Sequence, residues 1–249
     1  MAESRRAAEL AALRQRLALI ERGGRPEAPV LPFGVAALDA ALPGGGLACA
    51  ALHEVCGLGP AEEEAAEPAA FLAGILARLT PARPVLWCLA GADLYAPGLA
   101  LCGLAPERLV LARARDERDL LWAMEEGLKC RALAAVVGEV AALPDQAGRR
   151  LQLAAETGGI AAFVLRRRRH VGAAEATEPS AAVTRWRVSS SPSRPEGPGI
   201  GRPLWRVELL RCRGGAAGEW LMEACDATGH VHLADALADR PAPLRARAG

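Results

Sequence analysis

The segment HEVCGLGPAEEEAAE (53–67) has the order of strand, glycine-bearing turn and helix that is typical of phosphate-binding loops. In such a loop the backbone N–H groups at the helix start cradle phosphates, a lysine neutralises them, and a Ser or Thr hydroxyl holds magnesium. The sequence motif of such a loop is G-x-x-x-x-G-K-[S/T]. When the motif is aligned from Gly57, its second glycine, lysine and hydroxyl positions hold Glu62, Glu63 and Glu64. Alignment from Gly59 does not produce the motif either.

These three consecutive carboxylates favour the positive end of a helix dipole, but they repel a triphosphate. Repulsion between unit charges about 4 Å apart costs on the order of 4 kcal/mol at an effective dielectric constant of about 20. Lys129 is the only lysine of the chain, so no lysine can stand in this loop. The sequence therefore predicts a degenerate nucleotide site that holds no cofactor and supplies no catalytic residue.

Cysteine and histidine, the other common ligand residues, show no metal-binding spacing. The seven cysteines include no C-x-x-C pair, and several lie in apolar stretches, which favours reduced, buried thiols. Of the four histidines only His230 and His232 are close together. Such a pair on a strand or turn is more often solvated than ligating, so we expect no metal site.

Arginine forms the second set of residues that could do chemistry. The net charge of the chain is +1, but residues 163–213 hold eleven arginines against four glutamates, a net charge of +7. Such a segment is typical of a surface that contacts phosphates or an acidic partner. Because 29 of the 30 basic residues are arginine, a solvated strand end remains an equal alternative for the run Arg166 to Arg169. The predicted contact residues are Arg166, Arg167, Arg168, Arg169, Arg185, Arg187, Arg206, Arg211 and Arg213.

Trp186 and Trp205 have arginine neighbours, as do platforms on which nucleic-acid bases stack. Successive side chains of a strand point to opposite faces, however, and large apolar side chains prefer the buried face. The pattern therefore favours core positions for both tryptophans.

Two kinds of strand pattern must position these side chains. Between residues 51 and 165 apolar runs alternate with helical stretches, which is typical of a parallel sheet covered by helices on both faces. Farther along, apolar and polar residues alternate as in antiparallel strands with one buried face. We therefore predict an α/β fold with a mainly parallel central sheet and C-terminal antiparallel strands. The predicted strands are 51–56, 84–90, 108–113, 132–140 and 159–165, followed by 183–189, 203–211 and 218–225.

Residues 3–22 have the periodicity of an amphipathic helix that ends before two glycines. A helix with one apolar stripe must bury that stripe on its own domain or on another chain. From the residues alone the two alternatives are equally favoured. The stripe consists of Leu10, Leu13, Leu17 and Ile20.

Membrane and secreted classes do not fit the sequence. No apolar run approaches the roughly 20 residues that a bilayer span requires. Charged residues are spread along the first ten positions, unlike in a secretory signal. We expect a cytoplasmic protein without membrane contact.

Several phrases of the chain match a known family. The segment LPFGVAALDAALPGGGL leading into HEVCG resembles the start of the RecA recombinase core, and the resemblance extends over about residues 5–225. The phrases TRWRV, PSRP, WRVELLRCRGG and LMEACDATG resemble more specifically the ImuA family, which comprises RecA-like accessory proteins of bacterial SOS mutagenesis. This resemblance implies four segments. They are an N-terminal docking helix (1–24), a degenerate RecA-like core (25–170), an arginine-rich antiparallel extension of the same domain (171–235) and a tail (236–249).

The departures from RecA concern its catalytic positions. The resemblance places Gly91 where RecA has the glutamate that activates water, and Gly138 where RecA has the aspartate that holds magnesium. Glu139 follows, and strand alternation directs it to the opposite face. ATP hydrolysis needs charge clamps and a positioned water, so we expect no ATPase activity. The DNA-contacting loops of RecA are also reduced here, which leaves direct DNA binding open.

The resemblance to the ImuA family implies partners and a role. The partners would be the polymerase-like protein ImuB and an error-prone replicative-type polymerase, with RecA as a further candidate. The alignment of residues 3–22 with the RecA helix that docks on a neighbouring subunit favours docking over burial on the same domain. The alternatives are a DNA-stimulated ATPase with a divergent nucleotide site and an SOS cell-division inhibitor.

Overall fold

The computed structural model describes residues 29–59, 66–91, 94–167, 179–193 and 202–234. Several sequence-based predictions lie outside the described residues. They are the docking helix with its stripe, Glu62 to Glu64, Arg168 and Arg169, and the tail.

Eleven strands occur in the described part of the chain. They are β1 (Val30–Leu31), β2 (Leu47–Ala48), β3 (Leu52–Cys56), β4 (Val85–Leu89), β5 (Leu109–Arg113), β6 (Ala135–Val140), β7 (Ala161–Arg166), β8 (Thr184–Ser191), β9 (Leu204–Cys212), β10 (Gly218–Glu223) and β11 (His232–Leu233). β1 and β2 form a small antiparallel pair. The other nine form one sheet in the order β11-β10-β9-β8-β3-β7-β6-β4-β5.

Five α-helices and three short 3-10 helices connect these strands within the same described ranges. The α-helices are α1 (Ala36–Asp39), α2 (Ala66–Arg78), α3 (Ala96–Leu99), α4 (Glu117–Gly127) and α5 (Asp145–Gly158), and the 3-10 helices are Pro43–Gly45, Ala100–Cys102 and Pro106–Arg108. Asp116 caps α4, because its carboxylate accepts the backbone N–H of Asp119 at 2.8 Å. Gly159 caps the C-terminus of α5, and its φ of +69° is the left-handed conformation that glycine adopts without strain.

The sheet has a parallel and an antiparallel part, as the sequence predicted. β3, β4, β5, β6 and β7 run parallel, whereas β9 and β10 continue the sheet antiparallel to their neighbours. β8 joins the two parts, since it pairs parallel with β3 and antiparallel with β9. The α/β class, the mainly parallel centre and the C-terminal antiparallel strands are therefore confirmed.

Helices pack on both faces of the parallel part. α2 lies on one face, where Phe71 contacts Trp186 of β8, while α4 and α5 cover the other face with residues such as Met124 and Leu151. The predicted run 108–113 differs from a fully covered strand. It forms the edge strand β5, where the side chains of Val110 and Leu111 are half-exposed.

The two tryptophans flanked by arginines lie in the core, so this prediction is confirmed. Trp186 is 0% exposed and Trp205 is 5% exposed. Phe71 contacts both rings, with centroid separations of 5.8 Å to Trp186 and 6.5 Å to Trp205. Neither indole offers an open surface for base stacking. Among the helices of the described ranges, none combines the length and apolar character of a bilayer span.

Candidate functional site

The carboxyl ends of β3, β4, β6 and β7 lie side by side because these strands run parallel. This edge is where open α/β sheets bind their ligands. Gly57 directly follows β3, with Gly59 two residues on, and Gly91 follows the end of β4. Gly138 lies within β6. The structure therefore places three of the glycines of the predicted degenerate site just after strands that end at this edge, and Gly138 within β6.

Gly138 faces the core helix α4. A Cβ atom at this position would lie 2.1 Å from Sδ of Met124 and 2.9 Å from Cδ2 of Leu120. These distances are shorter than van der Waals contact, and a longer side chain would need still more room. A carboxylate therefore does not fit at Gly138 while α4 is packed as it is.

Glu139 points to the opposite face, as strand alternation predicted. Its Oε1 accepts a hydrogen bond from the indole Nε1 of Trp87 at 2.7 Å, and its Oε2 pairs with Nη1 of Arg167 at 2.5 Å. The side chain of Glu139 is only 5% exposed. The carboxylate at this edge is thus buried and already bonded within the protein through both of its oxygens.

A second buried carboxylate, Glu54, lies in the middle of β3. Its Oε2 contacts Nε of Arg185 at 3.0 Å and Nη1 of Arg166 at 3.4 Å, and its Oε1 accepts the hydroxyl of Ser180. The three charged side chains are no more than 6% exposed. Burial of an ionised carboxylate is costly unless it is paired and hydrogen-bonded, so the arginines satisfy an internal need.

This buried cluster shows that part of the predicted contact surface was wrong. Arg166 and Arg185 were predicted to contact DNA or a partner, but the structure places both in the interior against Glu54. Arg166 and Arg167 are consecutive and therefore point to opposite faces, where each meets a different glutamate. The first two arginines of the run 166–169 thus hold strands together.

Most of the other predicted arginines also have partners on neighbouring strands or loops. Arg187 makes two bonds to Glu208, at 2.7 and 2.6 Å, and Arg206 lies 3.2 Å from Glu219. Arg211 donates to the carbonyl of Ser180 at 2.6 Å, and Arg213 donates to the carbonyl of Ala181 at 2.8 Å. The cross-strand glutamates offset much of the positive charge that the sequence shows. Arg206 and Arg213 are the exposed ones among the predicted arginines that the structure describes.

Sequence reasoning missed the buried histidine of β3. His53 Nε2 lies 2.8 Å from the carbonyl oxygen of Ala48, and a carbonyl can only accept, so Nε2 carries the proton. Nδ1 must then accept the hydroxyl of Thr184 at 2.8 Å, whose oxygen in turn accepts Nε1–H of Trp186 at 2.7 Å. Burial lowers the pKa of His53 to about 4, so the ring is neutral at physiological pH. The signal that could have found it is its position in the predicted strand 51–56, which belongs to a sheet covered on both faces.

The titratable residues of the described ranges form no group of three or more that could hold a metal ion. Among the described residues, this sheet edge holds the glycines of the predicted site and the ion pair of Glu139 with Arg167.

Comparison with known proteins places the chain in a family. No protein-family model matches it. Two curated relatives, both called Protein ImuA, come from Caulobacter vibrioides strain NA1000 / CB15N and strain ATCC 19089 / CIP 103742 / CB 15. Each is 43% identical over 219 residues, which covers 85% of this chain and 89% of the relative. The match extends over nearly the whole of both proteins, and this chain therefore belongs to the ImuA family.

Proposed function

We propose that this protein is a non-catalytic, RecA-like accessory protein of SOS mutagenesis and translesion DNA synthesis, which acts through contacts with other proteins. Membership of the ImuA family and the α/β sheet with its parallel centre support this proposal. One observation carries the non-catalytic part: β6 has a glycine, Gly138, at the position where RecA has its magnesium-holding aspartate, and the side chains of Met124 and Leu120 from α4 fill the space beside it.

The charges at the sheet edge support the same conclusion. Phosphoryl transfer relies on cations aimed at the phosphates and on a carboxylate that holds magnesium or water. Here Glu139 is bonded to Trp87 and Arg167, and its pairing with Arg167 partly neutralises that cation. In the sequence, Glu62 to Glu64 occupy the positions at which a phosphate-binding loop has its glycine, lysine and hydroxyl. A nucleotide would therefore meet repulsion where an ATPase supplies attraction.

The contacts with other proteins are assigned to two parts of the chain. The stripe of Leu10, Leu13, Leu17 and Ile20 docks on a RecA-type subunit, and the arginine-rich strands bind the ImuB-type protein or the error-prone polymerase. Arg206 of β9 and Arg213, which directly follows β9, are exposed, and they offer guanidinium groups to an acidic surface. Direct contact of these strands with DNA is the alternative use of the same arginines.

Calorimetric titration of the purified protein with ATP and ADP tests the non-catalytic proposal. The titration is run with and without single-stranded DNA, which separates the proposal from a DNA-stimulated ATPase. We expect no heat of binding in any of the four combinations. Micromolar affinity for either nucleotide would overturn the proposal and favour the enzyme.

A matched variant makes the negative result informative. Glu62→Gly, Glu63→Lys and Glu64→Thr together restore the phosphate-binding motif read from Gly57. If this variant binds ADP while the unaltered chain does not, the three carboxylates are the cause of the loss. If neither binds, the defect extends to the rest of the sheet edge, as the packing at Gly138 predicts.

The docking proposal is tested with the double variant Leu13→Asp and Leu17→Asp. We expect it to lose association with RecA or the ImuB-type protein in a pull-down while its circular dichroism spectrum stays unchanged. Arg14→Asp and Arg16→Asp form the control, since they change charge without removing the apolar stripe. Unchanged association of the leucine variant would contradict docking through the stripe.

A further inference from the structure

The two edges of the nine-stranded sheet differ in length and protection. One edge is β11, which has only two residues. The other is β5, whose five residues LVLAR pair with β4 alone, in an uninterrupted parallel register. Natural proteins protect an edge strand by shortening it or by placing proline, a bulge or charges along it. β5 has none of these features except Arg113 at its end, so it is the open edge of the sheet.

Half of the backbone groups of β5 point away from β4. The N–H of Ala114, directly after the strand, donates to the carbonyl of Leu89 at 2.9 Å. Successive residues of a strand direct their backbone groups to opposite sides, so the even-numbered residues of β5 bond to β4. The odd-numbered residues, from Leu109 to Arg113, therefore direct their N–H and C=O groups outward. In the described part of the chain no other strand pairs with them.

The side chains along this edge form a pattern with opposite charges at its two ends. Val110 and Leu111, in the middle, are 49% and 47% exposed. Glu107, two residues before the strand, and Arg113, at its end, are both exposed. Neither takes part in an ion pair with another residue of the described ranges. An acid before an apolar strand and a base after it make the strand complementary to a reversed copy of itself.

We propose that β5 is a self-association surface, on which β5 of a second copy of this chain adds antiparallel and joins the two nine-stranded sheets. In an antiparallel pair two facing residues exchange both of their backbone hydrogen bonds, so outward-directed residues must face each other. A two-fold axis at Val110 meets this condition. It places Leu109 opposite Leu111 of the second copy, and Arg113 opposite Glu107 of the second copy. Each of these contacts occurs twice.

Other registers satisfy the side chains less well. A two-fold axis at Leu111 also aligns the outward backbone groups, but it sets Arg113 opposite Leu109. Glu107 then faces Arg115, which already pairs with Asp119 at 2.7 Å. Parallel pairing in register sets like charges side by side, which destabilises a strand pair. The exposed charges therefore favour the antiparallel register about Val110.

Sedimentation velocity of the full chain over a range of concentrations tests the association. We expect a monomer–dimer equilibrium without larger species, because an isologous contact uses the open edge of both copies and closes the assembly. A protein that is monomeric at every concentration, or that forms open-ended oligomers, would overturn the proposal.

A lysine in the leucine contact tests the location of the surface. Leu111→Lys should raise the Kd of the dimer at least about tenfold, because an edge lysine opposes strand addition. Leu153→Lys makes the same change at a leucine of α5 that is 60% exposed, and it should leave the Kd unchanged. Circular dichroism establishes that both variants are folded. A dimer that is insensitive to Leu111→Lys would contradict assignment to β5.

A charge exchange tests the register and the identity of the partner. Arg113→Glu sets two glutamates against each other at both ends of the contact and should raise the Kd about tenfold. Addition of Glu107→Arg restores opposite charges and should recover most of the affinity. Recovery requires that both residues meet across a two-fold contact between identical copies. A double variant that associates as weakly as Arg113→Glu would therefore refute the proposed pairing.

The amphipathic stripe provides the remaining control. Leu13→Asp with Leu17→Asp should leave the dimer intact, because the stripe has no part in the β5 contact. Loss of the dimer in this variant would assign self-association to the stripe and overturn the role of β5.

Discussion

Acidification from pH 7 to pH 4 should destabilise this protein through its buried histidine. In the native state His53 is enclosed between Ala48, Thr184 and the ring of Phe163, whose centroid lies 5.2 Å away. Burial lowers its pKa to about 4, whereas an unfolded histidine titrates near 6.5. Between these values the unfolded chain binds a proton that the native protein does not bind. The free energy of unfolding therefore falls as the pH falls through this window.

The size of the effect follows from the width of the window. Each pH unit costs about 1.4 kcal/mol, so a window of about 2.5 units costs about 3 kcal/mol. This amount is a large fraction of the roughly 5 to 15 kcal/mol that stabilises a typical domain. Urea unfolding followed by circular dichroism at a series of pH values measures it directly.

His53→Gln isolates the contribution of the imidazole. A glutamine can donate to the carbonyl of Ala48 and accept from Thr184, but it does not titrate. Between pH 7 and pH 4 the variant should therefore lose about 3 kcal/mol less of its free energy of unfolding than the unaltered chain loses. His230→Gln makes the same replacement at a partly exposed histidine beside Thr228 and serves as the matched control. Equal pH profiles for His53→Gln and the unaltered chain would refute the argument from burial.

Three further predictions concern the packing around the site. Glu54→Ala leaves two buried arginines without their carboxylate, and in urea titrations it should lower the free energy of unfolding by about 3 to 5 kcal/mol. The control Glu219→Ala breaks an exposed pair and should lower it by at most about 1 kcal/mol. Gly138→Asp forces a charged side chain against Met124 and Leu120 of α4, and it should lower the free energy of unfolding by roughly 3 kcal/mol in the same assay. The control Gly148→Ala, in the interior of α5, should raise it by up to about 1 kcal/mol. Arg108→Ala removes the guanidinium bonds that satisfy the carbonyls at the end of α2, and a thermal scan should show a Tm lower by about 5 °C.

Each of these outcomes has a result that contradicts it. Equal losses for the Glu54 and Glu219 variants would show that the buried cluster is no more important than a surface pair. A Gly138→Asp protein of normal stability that also binds magnesium would show that α4 yields easily. A normal Tm for the Arg108 variant would mean that water satisfies the end of α2 as well as the guanidinium does.

The layers of the fold could be predicted from local patterns. A strand such as β6 is buried at all of its residues, and its sequence is correspondingly apolar apart from Glu139. Alternation likewise placed Trp186 in the core, because side chains on one strand must divide between two faces. The edge position of β5 was not predictable in this way. Its apolar sequence is compatible with a central strand, and only the order of strands decides which one lies at the edge.

The sequence by itself determined what is absent from the phosphate-binding loop. A chain whose only lysine is Lys129 has none to place there, whatever its fold. The roles of Arg166 and Arg185 were decided by the tertiary structure alone. Their common partner Glu54 is 112 and 131 residues away along the chain, and strand pairing brings the three side chains together. The charge of an arginine is a property of the residue. Whether that arginine is buried depends on the carboxylate that the folded chain places beside it, because a buried charge must be paired. That carboxylate comes from a distant strand, so the local sequence does not encode the contact.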